Sequence, residues 1–120
     1  MALASELMGV GIAAPAALAL GQQTQLAATA AGTVQTDALL LTGSFVTLAT
    51  VGSGSGVRLP PAAGQAPIVI NNQGSNACAV YPATGEAINA IAANSSFSLT
   101  NAKCCVAFPA GNRWILIMGA

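Results

Sequence analysis

The sequence predicts an all-β domain, a small sandwich or jelly-roll-like barrel of about seven or eight strands, led by a short helical N-terminal arm. Three observations carry this expectation. From Thr33 onward, apolar and β-branched residues recur with period two, which puts alternate side chains on the two faces of a strand. Clusters of Gly, Pro, Asn and Ser punctuate that pattern about every eight to twelve residues. Residues 1–21 show no such alternation, and Gly9, Gly11 and Pro15 break them into short apolar pieces.

Residues 1–21 read as an anchoring arm. Ala4-Ser5-Glu6-Leu7-Met8 suits one helical turn, closed by Gly9 and Gly11. A second turn starts near Ala13 and stops at Gly21, with Pro15 in its first turn, where a missing N–H costs nothing. Leu7, Met8, Ile12, Leu18 and Leu20 are its apolar anchors. Helices this short are marginal in water, so the arm must pack on something, and a neighbouring subunit is the expected host. A secretory signal is not expected, because no Lys or Arg precedes the apolar run and Glu6 sits where a basic segment belongs. The run is also too interrupted to span a bilayer.

Residues 22–32 read as a linker or a first weak strand, and residues 33–120 as the β-domain. Thr33–Leu41 and Phe45–Val51 are rich in Val, Thr and Leu and suit strands on either side of Gly43. Gly52–Gly56 suits a flexible loop, and Val57-Arg58-Leu59 a short strand stopped by Pro60-Pro61. Pro67–Asn71 places Ile68 and Ile70 on one face. Asn72–Asn76 reads as a hairpin turn of residues that tolerate positive φ. Cys78–Tyr81, Ala87–Ala90, Ser96–Leu99, Lys103–Phe108 and Arg113–Met118 complete the strand set. Phe97 and Leu99 are expected to point inward, and Trp114, Leu116 and Met118 to share one face. Trp114 is expected in the core or at a subunit seam, with its indole N–H bonded. No internal repeat is visible.

Composition narrows function. Only Glu6, Asp37, Glu86, Arg58, Lys103 and Arg113 carry charge, the net charge is zero and histidine is absent. A soluble monomer has roughly a quarter of its residues charged. A surface this poor in charge is better covered by other subunits than left in water, and a neutral chain tends to associate. Clustered Lys and Arg for a nucleic-acid groove are missing. Without histidine, no serine or cysteine has its usual base, and the three cysteines lack a fourth zinc ligand. An enzyme is therefore not expected, nor a metal, nor a cofactor.

Cys78, Cys104 and Cys105 read as reduced thiols, since adjacent residues of a strand point to opposite faces and do not bridge easily. Gly52–Gly56 lacks the Lys and Ser/Thr ending and the following helix of a phosphate loop. Asn94-Ser95-Ser96 matches a glycosylation sequon, but so short a match is common by chance. Arg58 and Arg113 are lone arginines in apolar strands. Each suits either an outward charge that blocks edge-to-edge pairing or an intersubunit partner for Asp37 or Glu86. Val69, Val106 and Ile115 are candidates for a seam between subunits. A receptor-binding module would stack sugars on aromatics, and only Tyr81 and Trp114 offer themselves.

Two stretches resemble tailed-bacteriophage virion proteins. Ala4-Ser5-Glu6-Leu7-Met8-Gly9-Val10-Gly11, with Pro15 and Leu18-Ala19-Leu20-Gly21, is similar to a short arm that begins many small phage head or fibre-associated proteins. It departs from them in Ile12-Ala13-Ala14 before Pro15. The order Asn72 to Gly74, Val80 to Glu86, Ile88-Asn89, Ala92 to Asn94 and Trp114 resembles a recurrent β-domain of phage structural proteins. The resemblance implies a virion component with no catalytic residues to carry over. Its expected role is capsid decoration (cement), with the base or attachment domain of a head or tail fibre as the alternative. The implied partners are the major capsid protein and copies of the chain itself, as a trimer by preference or a dimer, with no nucleic acid and no membrane. The implied location is the capsid surface of the virion, after synthesis in the host bacterial cytoplasm.

Overall fold

A computed structural model describes residues 24–119. The expected arm, with Leu7, Met8, Ile12, Leu18 and Leu20, lies outside them. Among the described residues ten strands form two sheets: β1 (Thr24–Thr29), β2 (Leu39–Leu40), β3 (Phe45–Thr50), β4 (Gly56–Arg58), β5 (Ile68–Asn72), β6 (Cys78–Tyr81), β7 (Ala87–Ile88), β8 (Phe97–Leu99), β9 (Cys104–Pro109) and β10 (Arg113–Met118). One sheet has six strands in the order β1-β3-β5-β9-β10-β7. The other has four, in the order β2-β4-β6-β8.

The all-β expectation is met, but the sandwich or barrel is not. The first six strands alternate between the sheets, so each pairs with the strand two steps along, and pairs in parallel. The chain therefore winds as a short solenoid of three coils of unequal length. The later strands close one end of it. β8 runs antiparallel to β6, β9 antiparallel to β5 and β10 antiparallel to β9, while β7 adds parallel to β10. Parallel neighbours cannot be joined by a tight hairpin and need a crossing connection. Here the crossings are corners between the two sheets, made of the same Gly, Pro and Asn residues that make hairpins.

Three local expectations change with the fold. Asn72–Asn76 is a corner from β5 to β6, not a hairpin, and Asn71, Asn72 and Asn76 are not among the residues of positive φ. Thr33–Leu41 is not one strand. The Asp37 carboxylate accepts the N–H groups of Thr33 and Val34 at 3.0 and 2.9 Å, which rolls Gln35–Asp37 into a 3-10 turn and leaves only Leu39–Leu40 paired. Gly32, at φ 77°, makes room for that turn, since a Cβ there would lie 2.3 Å from the Asp37 carbonyl oxygen. Gly56 belongs to β4 and not to the loop before it. A Cβ on it would stand 2.6 Å from the Ala79 carbonyl oxygen and 3.0 Å from the Tyr81 ring. Of the two readings of 22–32, linker or first weak strand, the stretch supplies a strand, β1, with a bulge at Ala27, where φ is 55°.

The core lies between the sheets. Val46, Ile70 and Cys105 face inward in register on β3, β5 and β9, as do Ile68, Ala107 and Leu116 on β5, β9 and β10. Opposite them stands the row Leu39–Val57–Val80–Phe97 of the smaller sheet, with Leu59, Cys78 and Leu99 beside it. Each such aliphatic side chain contributes about 1.5–3 kcal/mol when fully buried. Trp114 is fully buried, and its indole N–H donates to the Pro60 carbonyl at 3.0 Å, tying β10 to the turn after β4. Met118, expected on the same face as Trp114, runs past the end of the core and is exposed.

Candidate interaction face

The outward face of the six-stranded sheet is where alternation leaves apolar side chains without cover. The register sets Phe45 of β3 beside Val69 of β5, Val69 beside Val106 of β9, and Val106 beside Ile117 of β10. This row crosses four strands, about 14 Å at ordinary strand spacing. Phe108 and Ile115 form a second pair next to it. Phe45, Phe108, Ile115 and Ile117 are exposed, Ile117 to 61%, while Val69 and Val106 are half-buried.

Monomeric proteins scatter exposed apolar residues singly, whereas contiguous patches mark contact with other molecules. The patch bears no charge. Its flank is the polar register row Thr47–Asn71–Cys104. An apolar centre with a polar rim is the layout of a protein–protein interface core.

Val69, Val106 and Ile115, picked out in the sequence as a seam, all lie on this one face. Phe45, Phe108 and Ile117 complete it and were not picked out. The parity of β10 points to Ile117 once Trp114 and Leu116 are taken as buried, but only the parallel pairing of β3 with β5 brings Phe45 into the row.

Of the expected interface charges only Arg113 borders this face, exposed on the outward side of β10 two residues from Ile115. Both Glu86 carboxylate oxygens accept the Ala62 N–H, at 3.1 and 3.2 Å, which pins the turn before β7 to the turn after β4. Asp37 holds its own 3-10 turn, as described. The Arg113 guanidinium donates to the Asn89 carbonyl. Arg58 stands half-buried on β4, an inner strand of its sheet, so it guards no edge. It lies in the outward row Leu40–Arg58–Tyr81 and lines a cleft of about 330 Å³. Lys103 is half-buried in the turn before β9.

The aromatic pair considered for sugar stacking is also divided. Trp114 is 0% exposed, and Tyr81 is half-buried with its hydroxyl donating to the Thr33 carbonyl.

The thiols separate by face. Cys78 and Cys105 are buried and Cys104 is exposed. Burial pushes the Cys78 thiol up to about 11. Cys105 rises to about 12, through burial first and then the neighbouring Cys104 and Cys78. Both inner thiols are therefore held protonated at neutral pH, poor as nucleophiles and as metal ligands. Among the described residues no three His, Cys, Asp or Glu side chains cluster as metal ligands would. No helix among them is long and apolar enough to cross a membrane. Compared with protein families, curated proteins and solved structures, the chain matches none.

Proposed function

We propose that this chain is a structural subunit of a larger assembly, and that the assembly is the head of a tailed bacteriophage, where it acts as a capsid decoration (cement) protein. The observation that carries the assembly reading is the uncharged outward row Phe45–Val69–Val106–Ile117, on a chain with six charged residues in all. The phage reading is supported by the resemblance of the arm and of residues 72–114 to virion proteins.

In this account the face packs against copies of the chain, threefold by preference. The arm anchors Leu7, Met8, Ile12, Leu18 and Leu20 in neighbouring subunits, including the major capsid protein. Each contact is modest, and many copies hold the particle by avidity. No catalysis and no cofactor enter the account.

A second reading, the base or attachment domain of a fibre, is favoured by the coil itself. β1 and β2 form an open end with no further coil stacked on it among the described residues, and solenoids continue or are capped at such ends. The copy number per purified particle separates the two, measured by quantitative gel densitometry. Hundreds of copies support decoration, and a few dozen or fewer support the fibre.

A further inference from the structure

We infer that the cleft beside Arg58 is the seat for residues 4–8 of a neighbouring copy. The Glu6 carboxylate would sit on the Arg58 guanidinium, with Leu7 and Met8 against the apolar walls. The inference rests on the assembly reading above and says where the arm goes.

The cleft is a mixed site of the kind a short amphipathic segment fills. Leu40, Leu59, Pro61 and Ala83 make its walls, Thr84 offers a hydroxyl, and Arg58 is its one charge. Asp37, Glu86 and Arg113 are engaged within the chain. Arg58 makes no side-chain hydrogen bond or ion pair among the described residues. Arginine in partly apolar surroundings takes a carboxylate in a two-pronged, charge-assisted pair, the strongest polar contact available to it.

The complementary group is in the chain itself. Outside the described residues the sequence has one charged side chain, Glu6, and it is followed directly by Leu7 and Met8. The other two acids, Asp37 and Glu86, are bonded to backbone amides of their own fold. Residues 7–23 separate it from Thr24, the first residue of β1. Extended, that stretch spans on the order of 60 Å, ample to reach another molecule's cleft. Thr24 stands in register with Phe45, at the end of the outward apolar row, so the chain leaves the fold beside the face that meets the neighbour.

The test is sedimentation velocity on the full chain, comparing wild type with Glu6→Arg, Arg58→Glu, the double variant, and an equimolar mixture of the two single variants. Each single variant is expected to weaken self-association about tenfold or more, the loss of one charge-assisted contact. The double variant is expected to recover it. The mixture is expected to recover it in part, because an arm of either variant finds a cleft of opposite charge on the other variant, and a threefold ring keeps one like-charged contact. Glu6→Gln and Arg58→Gln, which avoid repulsion, are expected to weaken association in the same direction. Circular dichroism of each variant establishes that the β-domain is folded.

Single variants that assemble like wild type overturn this seat while leaving the assembly reading intact. Recovery in the double variant but not in the mixture places the arm on its own chain and overturns the neighbour. Loss with Arg58→Glu alone, and none with Glu6→Arg, assigns the cleft to another segment of the neighbouring copy and overturns it too. A wild-type chain that sediments as a monomer removes the assembly reading itself.

Discussion

The side-chain amide of Asn89 pairs with both backbone groups of Leu116: its Oδ1 accepts the Leu116 N–H at 3.0 Å, and its Nδ2 donates to the Leu116 carbonyl at 3.3 Å. Asn89 stands just past β7 with φ at 51°, so its backbone has left the strand while its side chain continues the pairing along β10. An amide is the one side chain that copies a peptide group, and asparagine tolerates this φ better than most residues. The pair covers part of a sheet edge that would otherwise present unpaired N–H and C=O groups.

Asn89→Ala is expected to destabilise the fold by about 1–3 kcal/mol, since two backbone groups of a buried strand residue lose their partner. Asn89→Asp is expected to fall in the same range, because a carboxylate cannot donate to the Leu116 carbonyl. Urea denaturation followed by Trp114 fluorescence measures both. A loss under about 0.5 kcal/mol for Asn89→Ala, the scale of an ordinary surface change, contradicts the pairing.

Asn72 is the buried polar counterpart at the other end of the core. Its Nδ2 donates to the carbonyls of Asn76 and Leu99, at 3.0 and 3.1 Å, and its Oδ1 accepts the Gly74 N–H at 2.9 Å. Asn72→Leu keeps the volume and orphans three backbone groups, so it is expected to cost about 3 kcal/mol or more. Thermal melting that shifts by a degree or two only contradicts the network.

In the proposed assembly Ile117 and Val106 carry the association and not the fold. Ile117→Lys is expected to leave stability within about 0.5 kcal/mol of wild type, as a solvent-facing change. The same substitution is expected to abolish assembly, because a charge buried within an apolar contact stays unpaired. Light scattering reads the mass and a melt reads the fold. Normal assembly of Ile117→Lys removes the face from the account.

The inner thiols make stability fall in alkali. Unfolded, Cys78 and Cys105 ionise at ordinary thiol values near 9. Folded, they ionise at about 11 and about 12. Between those limits the unfolded chain has released protons that the folded chain retains, so stability declines as pH rises. Below about pH 8.5 the full contribution is present. The slope is on the order of 1 kcal/mol per pH unit for each thiol. Denaturation midpoints at pH 8 and pH 10.5 are expected to differ for wild type and to differ less for Cys105→Ala. Equal differences in the two proteins contradict this. A thiol reagent is expected to label Cys104 alone in the dispersed native chain and all three cysteines in denaturant.

Local structure was far more legible in the sequence than pairing. Cys78–Tyr81 and Arg113–Met118 are strands at the limits their alternation marks, and Ile68 with Ile70, and Trp114 with Leu116, are buried as period two requires. The partners were not legible. A corner between sheets and a hairpin use the same Asn and Gly residues, so Asn72–Asn76 looks identical in either fold. Coils of unequal length leave no repeat to detect. Thr33–Leu41 misleads because one short-range carboxylate, Asp37, outweighs a run of β-branched residues.

The site followed the same division. Val69, Val106 and Ile115 stood out by composition, while Phe45 joins them only through parallel register. Glu86 looked like a spare charge, because a bond to a backbone amide far along the chain, here from Ala62, leaves no mark in a sequence.

In the proposed assembly, other copies cover the outward face of the six-stranded sheet. The most direct measurement is the molar mass of the native chain in solution, by light scattering across a concentration series. The account predicts an association to a small closed multiple of 11.7 kDa, and to that mass alone for Ile117→Lys. A wild-type chain that stays at 11.7 kDa up to high concentration, with its apolar face in water, contradicts it.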